Sequence, residues 1–256
     1  MEQKVKAAAA ALCAFFAMAF VQGVCTSLLM PMFGSDGTGA GRALVLGTAA
    51  VILLALMAAG GRAFPHFARR QEPLRGAFGP VPLLYCLAMG ASANFTLGAG
   101  LPLLPLDEAF LADYAQAVPL GKGADLWLEL TVFCLLVPVM EERLFRGVIL
   151  DCLRSAWPVW AAAGLESLLF ACGHGQLLWF VYAFAMGGVL TLLRLKTGSL
   201  RASVAFHVGF NGANFLQPQL YGALGEGRGA LCGVLTAGAL CCALSAVLLY
   251  KNRKKN

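Results

Sequence analysis

The sequence predicts an all-α, polytopic membrane protein of about eight transmembrane helices. Of its 256 residues 59% are hydrophobic and 12% charged, whereas a soluble domain carries about a quarter charged residues. The apolar residues are also gathered into runs, and crossing a hydrocarbon core takes about 20 of them per helix. The basic residues sit in short clusters between those runs, which is a topology signal. They do not form a stripe with interleaved aromatics, so the net charge of +6 does not point to nucleic acid. The lipid bilayer is the first partner implied.

Eight spans follow, at residues 7–30, 43–60, 79–98, 125–147, 157–174, 176–193, 202–217 and 229–250. The first, behind Lys4 and Lys6, has the look of a secretory leader. It lacks a small-x-small cleavage site and further spans follow, so it reads as a retained helix. Gly and Pro mark the joints: Pro31 to Gly41, Gly60-Gly61, Gly79-Pro80, Gly121 to Gly123 and Pro218 to Gly229. The third span is the least regular, with Pro80, Pro82, Pro102 and Pro105 in or beside it. Residues 107–118 predict a short helix at the interface. In the fourth span Pro138 removes a backbone hydrogen bond and predicts a kink. The chain divides at about residue 120, into an N-terminal transmembrane region (1–120, spans one to three) and a region holding spans four to eight (121–256).

With eight spans both termini share one side. Of the 19 Lys and Arg, all but Arg42, Lys122 and Arg228 then fall on that side. The opposite side holds Asp107, Glu108 and Asp113. Positive charge stays cytoplasmic, which predicts a multi-pass protein of the plasma (inner) membrane with both ends in the cytoplasm. The nine cysteines form no Cys-x-x-Cys pair and lie mostly in apolar runs, as small buried hydrophobes.

Against this apolar background the stretch from Pro138 to Gly147, with Glu141, Glu142, Arg143 and Arg146, is conspicuous. Ionisable groups at bilayer depth are costly, so they are usually paired and usually functional. Glu142 and Arg146 are four apart with the acid first, the favourable order for a pair on one helix face. Such a pair neutralises itself and supports structure. Glu141 lies about 100° around the helix, which leaves it to do chemistry. Two further motifs break the pattern: Phe170-x-x-x-His174 in span five and His207-x-x-x-Asn211 in span seven. Phe170 sits one turn before His174 and walls it. His207 and Asn211 stack on one face and aim at a common point. The third histidine, His66, lies in the basic loop 62–75. Gly147, Gly173, Gly175, Gly209 and Gly212 are expected to let backbones approach closely.

Taken singly, each motif has a plain reading: an ion pair at a helix end, a helix-to-helix hydrogen bond, polar glue between helices. Together, on spans four, five and seven, they point to a site. An apolar setting is the kind that tunes a carboxylate for general-base work.

Glu-Glu-x-x-x-Arg, Phe-x-x-x-His and His-x-x-x-Asn, in that order over residues 141–211, resemble the CPBP family of intramembrane proteases. That family includes the Rce1-type CAAX prenyl endopeptidases and bacterial bacteriocin-processing and immunity-type members. The resemblance implies hydrolysis of a peptide bond, in a peptide or membrane-protein substrate, by a glutamate-activated water. It implies Glu141 as general base with His174 positioning the water, and His207 and Asn211 completing the site and stabilising the oxyanion. Glu142, Arg146 and Phe170 take supporting roles. No cofactor is expected. Zinc is the lesser alternative, with Glu141, His174 and His207 as its ligands, although a His-Glu-x-x-His motif is absent. Serine and aspartyl intramembrane proteases fit poorly, since Gly198-Ser199-Leu200 is no nucleophile loop and no span holds two Asp. Two other classes compete. One is a non-catalytic, peptide-binding or immunity-type protein of the same fold. The other is a proton-coupled transporter, which has no use for the amide of Asn211.

Overall fold

The computed structural model describes residues 1–33, 39–63, 79–107, 109, 111, 125–225 and 227–253. These form nine helices, with no strand among the described residues. They are α1 (Glu2–Phe33), α2 (Gly39–Ala63), α3 (Pro80–Gly100, closed by a 3-10 turn at Leu101–Leu103), α4, α5 (Val159–Cys172), α6 (Leu177–Thr197), α7 (Leu200–Asn214), α8 (Gln217–Leu224) and α9 (Arg228–Arg253). Helix α4 runs through consecutive segments: α-helical Leu126–Glu129, π-helical Leu130–Leu136, α-helical Val137–Glu142, π-helical Arg143–Ile149 and α-helical Leu150–Arg154.

Each of the eight expected spans coincides with a helix. Five stretches, Glu2–Phe33, Ala40–Gly60, Pro80–Leu103, Leu177–Thr197 and Arg228–Asn252, are long and apolar enough to cross a membrane. Helices α5 and α7 have 14 and 15 residues. At 1.5 Å per residue each is only about 21–23 Å long, short of the ~30 Å hydrocarbon core. The joint expected from Pro218 to Gly229 is in part a helix, α8, because Pro218 occupies a first-turn position where a missing N–H costs nothing. His66 and most of the interfacial helix expected at 107–118 lie outside the described residues.

The helices fall into two compact units, residues 1–76 with 122–203 and residues 77–121 with 204–256. In the first, α1 packs along α2 and against the C-terminal half of α4, α2 against its N-terminal half, and α5 against α6 and the end of α4. Lys4 Nζ lies 5.2 Å from the centre of the Trp157 ring, and Gln3 Nε2 donates to the Ser155 carbonyl at 3.0 Å. These contacts fix the start of α1 beside the α4–α5 turn.

In the second unit α9 lies along α3, and α7 crosses α3 backbone to backbone. A Cβ at Gly90 would overlap the Phe206 carbonyl oxygen, and one at Gly209 would overlap that of Leu87. Only glycine allows this approach. Beyond the crossing, the Asn94 amide donates to Asn214 Oδ1 at 2.9 Å and its oxygen accepts from Gln217 Nε2 at 2.6 Å. A buried amide needs such partners.

Candidate active site

The candidate residues of the first unit begin with a backbone irregularity. Pro138 has no N–H to donate, and its ring crowds the carbonyl four residues back. Helix α4 answers with π turns on both sides of Val137–Glu142. This is the form taken by the disturbance expected at Pro138, and π turns are frequent at functional sites. The two adjacent acids leave this short α segment on different sides. Glu142 is wholly buried, whereas Glu141 is half-buried.

Behind Glu142 lies an ion cluster sealed from solvent. Arg146 Nη1 donates to Glu142 Oε1 at 3.0 Å, so the i, i+4 pair expected from spacing is present. The same guanidinium puts Nε 3.2 Å from Glu166 Oε1 on α5 and donates from Nη2 to the Gly187 carbonyl on α6 at 3.1 Å. Its central carbon, Cζ, lies over the Phe170 ring, 4.3 Å from the centroid. Glu142, Arg146 and Glu166 have no exposed surface. Glu166 Oε2 accepts a short hydrogen bond from Thr191 Oγ1 and a longer one, 3.5 Å, from Ser167. One arginine thus joins α4, α5 and α6, using its planar fork for two acids and a carbonyl as a lysine could not.

Helical spacing reveals the Glu142–Arg146 pair but not its partners on other helices. The available signal for Glu166 is that it is a lone acid in an apolar run, four before Phe170 and eight before His174, all on one face. Thr191 and the Gly187 carbonyl carry no comparable signal.

His174 is not inside a helix, in contrast to the expected span 157–174. Helix α5 ends at Cys172, and His174 sits in the turn to α6. Gly175 takes φ +69° there, a left-handed conformation suited to glycine. Gln176 then caps α6 by accepting from the Trp179 amide at 2.8 Å. The His174 ring is half-buried between Phe170 and Trp179, with ring centres 4.8 and 5.2 Å away. Its Nδ1 lies 2.8 Å from the Phe170 carbonyl oxygen. A carbonyl only accepts, so Nδ1 carries the hydrogen of this bond.

The packing register relates Glu141 to His174. Helices α4 and α5 are antiparallel neighbours, with the rings of Phe145 and Phe170 in edge contact at 5.1 Å. One turn back from Phe145 is Glu141, and one turn on from Phe170 is His174. Both groups are half-buried, and both belong to the stretches that flank the Phe145–Phe170 contact. Phe15 of α1 reaches the Phe145 ring at 6.5 Å, and buried Met18 packs near Gly173.

His207 and Asn211 belong to the second unit, on α7. His207 is 2% exposed and Asn211 half-buried. They continue a polar stripe through Ser203 and Asn214, at spacings of four, four and three on one helix face. The stripe is anchored by the glycine crossing and by the Asn94–Asn214–Gln217 amides. Of the glycines expected at close approaches, Gly209 is at one, whereas Gly147, Gly175 and Gly212 have open space where a Cβ would stand, and Gly173 meets chiefly its own turn. Glu141, His174 and His207 are the ligands of the zinc alternative. No group of three His, Cys, Asp or Glu side chains suited to a metal ion occurs among the described residues.

Comparison with known proteins bears on this arrangement. Residues 123–213 match a family model described as Rce1-like, type II CAAX prenyl endopeptidase Rce1-like. The match takes in all three motifs. The chain is also similar to an Escherichia coli protein named as an uncharacterized 24.3 kDa protein, with 34% identity over 121 residues, 44% of this chain and 52% of that one. The chain thus spans about half the length of that curated relative. No solved structure matches. The buried Glu142–Arg146 pair, His174 in its turn and the His207–Asn211 stripe therefore all lie within the stretch of this multi-pass membrane protein, residues 123–213, that is similar to the Rce1-like type II CAAX prenyl endopeptidase family.

Proposed function

We propose that the chain is an intramembrane endopeptidase of the plasma (inner) membrane, cleaving a peptide or membrane-protein substrate with Glu141 as the base that activates water. The observation that supports this reading is that Glu141 and His174, both half-buried, stand four residues from Phe145 and from Phe170, whose rings are in contact, beside a cluster whose own charges are sealed. Glu141 takes a proton from water, which His174 Nε2 orients by accepting its other hydrogen. The oxygen attacks the scissile carbonyl carbon. His207 and Asn211 donate to the oxyanion, where aimed donors lower the barrier most. Glu141 then passes its proton to the amide nitrogen as the C–N bond breaks, leaving one acid and one amine.

The test is a comparison of membrane proteomes from cells expressing wild-type protein or Glu141→Gln, which keeps the shape and removes the base. A substrate found uncleaved in the variant is then presented to purified protein, with and without a chelator. Expected is loss of cleavage of about 10²-fold or more for Glu141→Gln and His174→Ala, undiminished by chelation in the wild type. Full activity in both variants would refute the assignment. A binding partner retained equally by wild type and Glu141→Gln, with no cleaved species, would favour the peptide-binding reading.

A further inference from the structure

We propose that Glu166, held by Thr191, is a positioning residue of the site: it sets the Arg146 guanidinium over Phe170 and thereby fixes the ring and carbonyl against which His174 is placed. The inference rests on the reading of His174 as a member of the active site. Arg146 has two acid partners, Glu142 on its own helix at 3.0 Å and Glu166 on α5 at 3.2 Å. One carboxylate is enough to neutralise it. A second wholly buried acid needs a further reason, because burying charge is costly.

Geometry supplies that reason. Glu142 alone would draw the guanidinium along α4, parallel to its own helix axis. Glu166 draws Nε across to α5, at the position four residues before Phe170, and puts the cation over that ring at 4.3 Å. Cation–π attraction holds the ring in turn. Phe170 then touches His174 twice, ring to ring at 4.8 Å and carbonyl to Nδ1 at 2.8 Å. Thr191 Oγ1 and Ser167 Oγ donate to the second oxygen of Glu166 and fix its plane. The chain of contacts from Thr191 to His174 is continuous.

The experiment uses the full-length protein in lipid nanodiscs with histidine-selective 15N labelling. The chain has three histidines, and a His174→Ala spectrum assigns the resonances. Glu166→Gln keeps the side-chain shape and leaves Glu142 and Arg146 as a neutral pair. The expected result is displaced His174 ring-nitrogen resonances with those of His66 unchanged, and kcat lowered about tenfold to 10²-fold, as small misplacements of catalytic groups do, with KM within about twofold. If Glu166→Gln does not accumulate, Thr191→Val, which removes only the hydroxyl donor, is judged by the same resonances. Unmoved His174 resonances in the variant that folds, with or without a loss of thermal stability, overturn the proposal and leave Glu166 a structural acid. The spectrum requires no turnover, so wild-type protein that cleaves nothing would count against the protease reading, while the resonances still decide the role of Glu166.

Discussion

At the scale of single residues, Arg146 is where the structure makes its strongest energetic statement. A buried cation with two buried acids tolerates the loss of one acid, but losing the cation strands both carboxylates. Removing one partner of a buried ion pair costs on the order of 3–5 kcal/mol. Arg146→Met is therefore expected to lower the thermal midpoint sharply or abolish accumulation in the membrane. Adding Glu142→Gln and Glu166→Gln to Arg146→Met should restore much of the loss, because apolar or neutral replacements of a whole ion cluster are often well tolerated. Melting curves of the single and triple variants, read by intrinsic fluorescence in detergent, check this. A single variant as stable as the wild type would mean that the cluster contributes nothing. What the sequence discloses here follows from the range of its rules. An i, i+4 pair is local, so Glu142 and Arg146 are legible from spacing. The third charge is four helical turns and a loop away, and nothing local ties Glu166 to Arg146 rather than to lipid-facing decoration.

At the scale of helices, the glycines separate cleanly. Gly90 and Gly209 are the points where α3 and α7 touch through their backbones, so a methyl group at either must push the helices apart. Overpacking of this kind costs about 1–3 kcal/mol. Gly90→Ala and Gly209→Ala should each destabilise the protein. Gly147→Ala and Gly212→Ala, where a Cβ meets no neighbour, should be neutral or slightly stabilising, since alanine is the better helix former. Equal melting points for the four variants would contradict the crossing. Sequence marks all of these positions as glycine in an apolar run, yet the crossing point depends on a partner helix more than a hundred residues away. The same limit explains His174. Hydropathy runs through Gly173-His174-Gly175 without a break, but the positive φ of Gly175 ends the helix there and puts the imidazole in a turn. The helices themselves are legible because their apolar runs are long, and each expected span has its helix. Their lengths are less so: α5 and α7 are short because glycine and amide residues stop them, not because hydrophobicity runs out. The contribution of α1, which sets Phe15 against Phe145 and Met18 near Gly173, has no signal in a first helix that reads only as apolar.

At the scale of the whole molecule, helix length and charge together support a prediction of which ends face the cytoplasm. Helix α5 is too short to cross the hydrocarbon fully, but it and α6 form a hairpin from Arg154 to Lys196. Both of its ends are basic, so they stay on one side whether or not the turn at His174 reaches the opposite surface. The short α5 therefore leaves the charge partition intact and keeps His174 at membrane depth, about 21–24 Å from the start of α5 at 1.5 Å per residue. Helix α7, also short, is continued by α8 toward Gly225, and α9 returns the chain to the basic cluster beginning at Lys251. The charge partition of the sequence leads us to propose a cytoplasmic C-terminus, with the segment around Gly225 outside. A fluorescent protein that matures only in the cytoplasm should glow when fused after Asn256, and a phosphatase active only outside should work when inserted at Gly225. The reverse pattern would turn the protein over. A phosphatase active at both points would mean that α9 does not cross, against its 26-residue length and its apolar stretch Arg228–Asn252. The orientation matters for mechanism. With the α4–α5 turn cytoplasmic, Glu141 lies about 20 Å along α4 from Arg154, so the mechanism we propose requires water and substrate to reach it away from that turn.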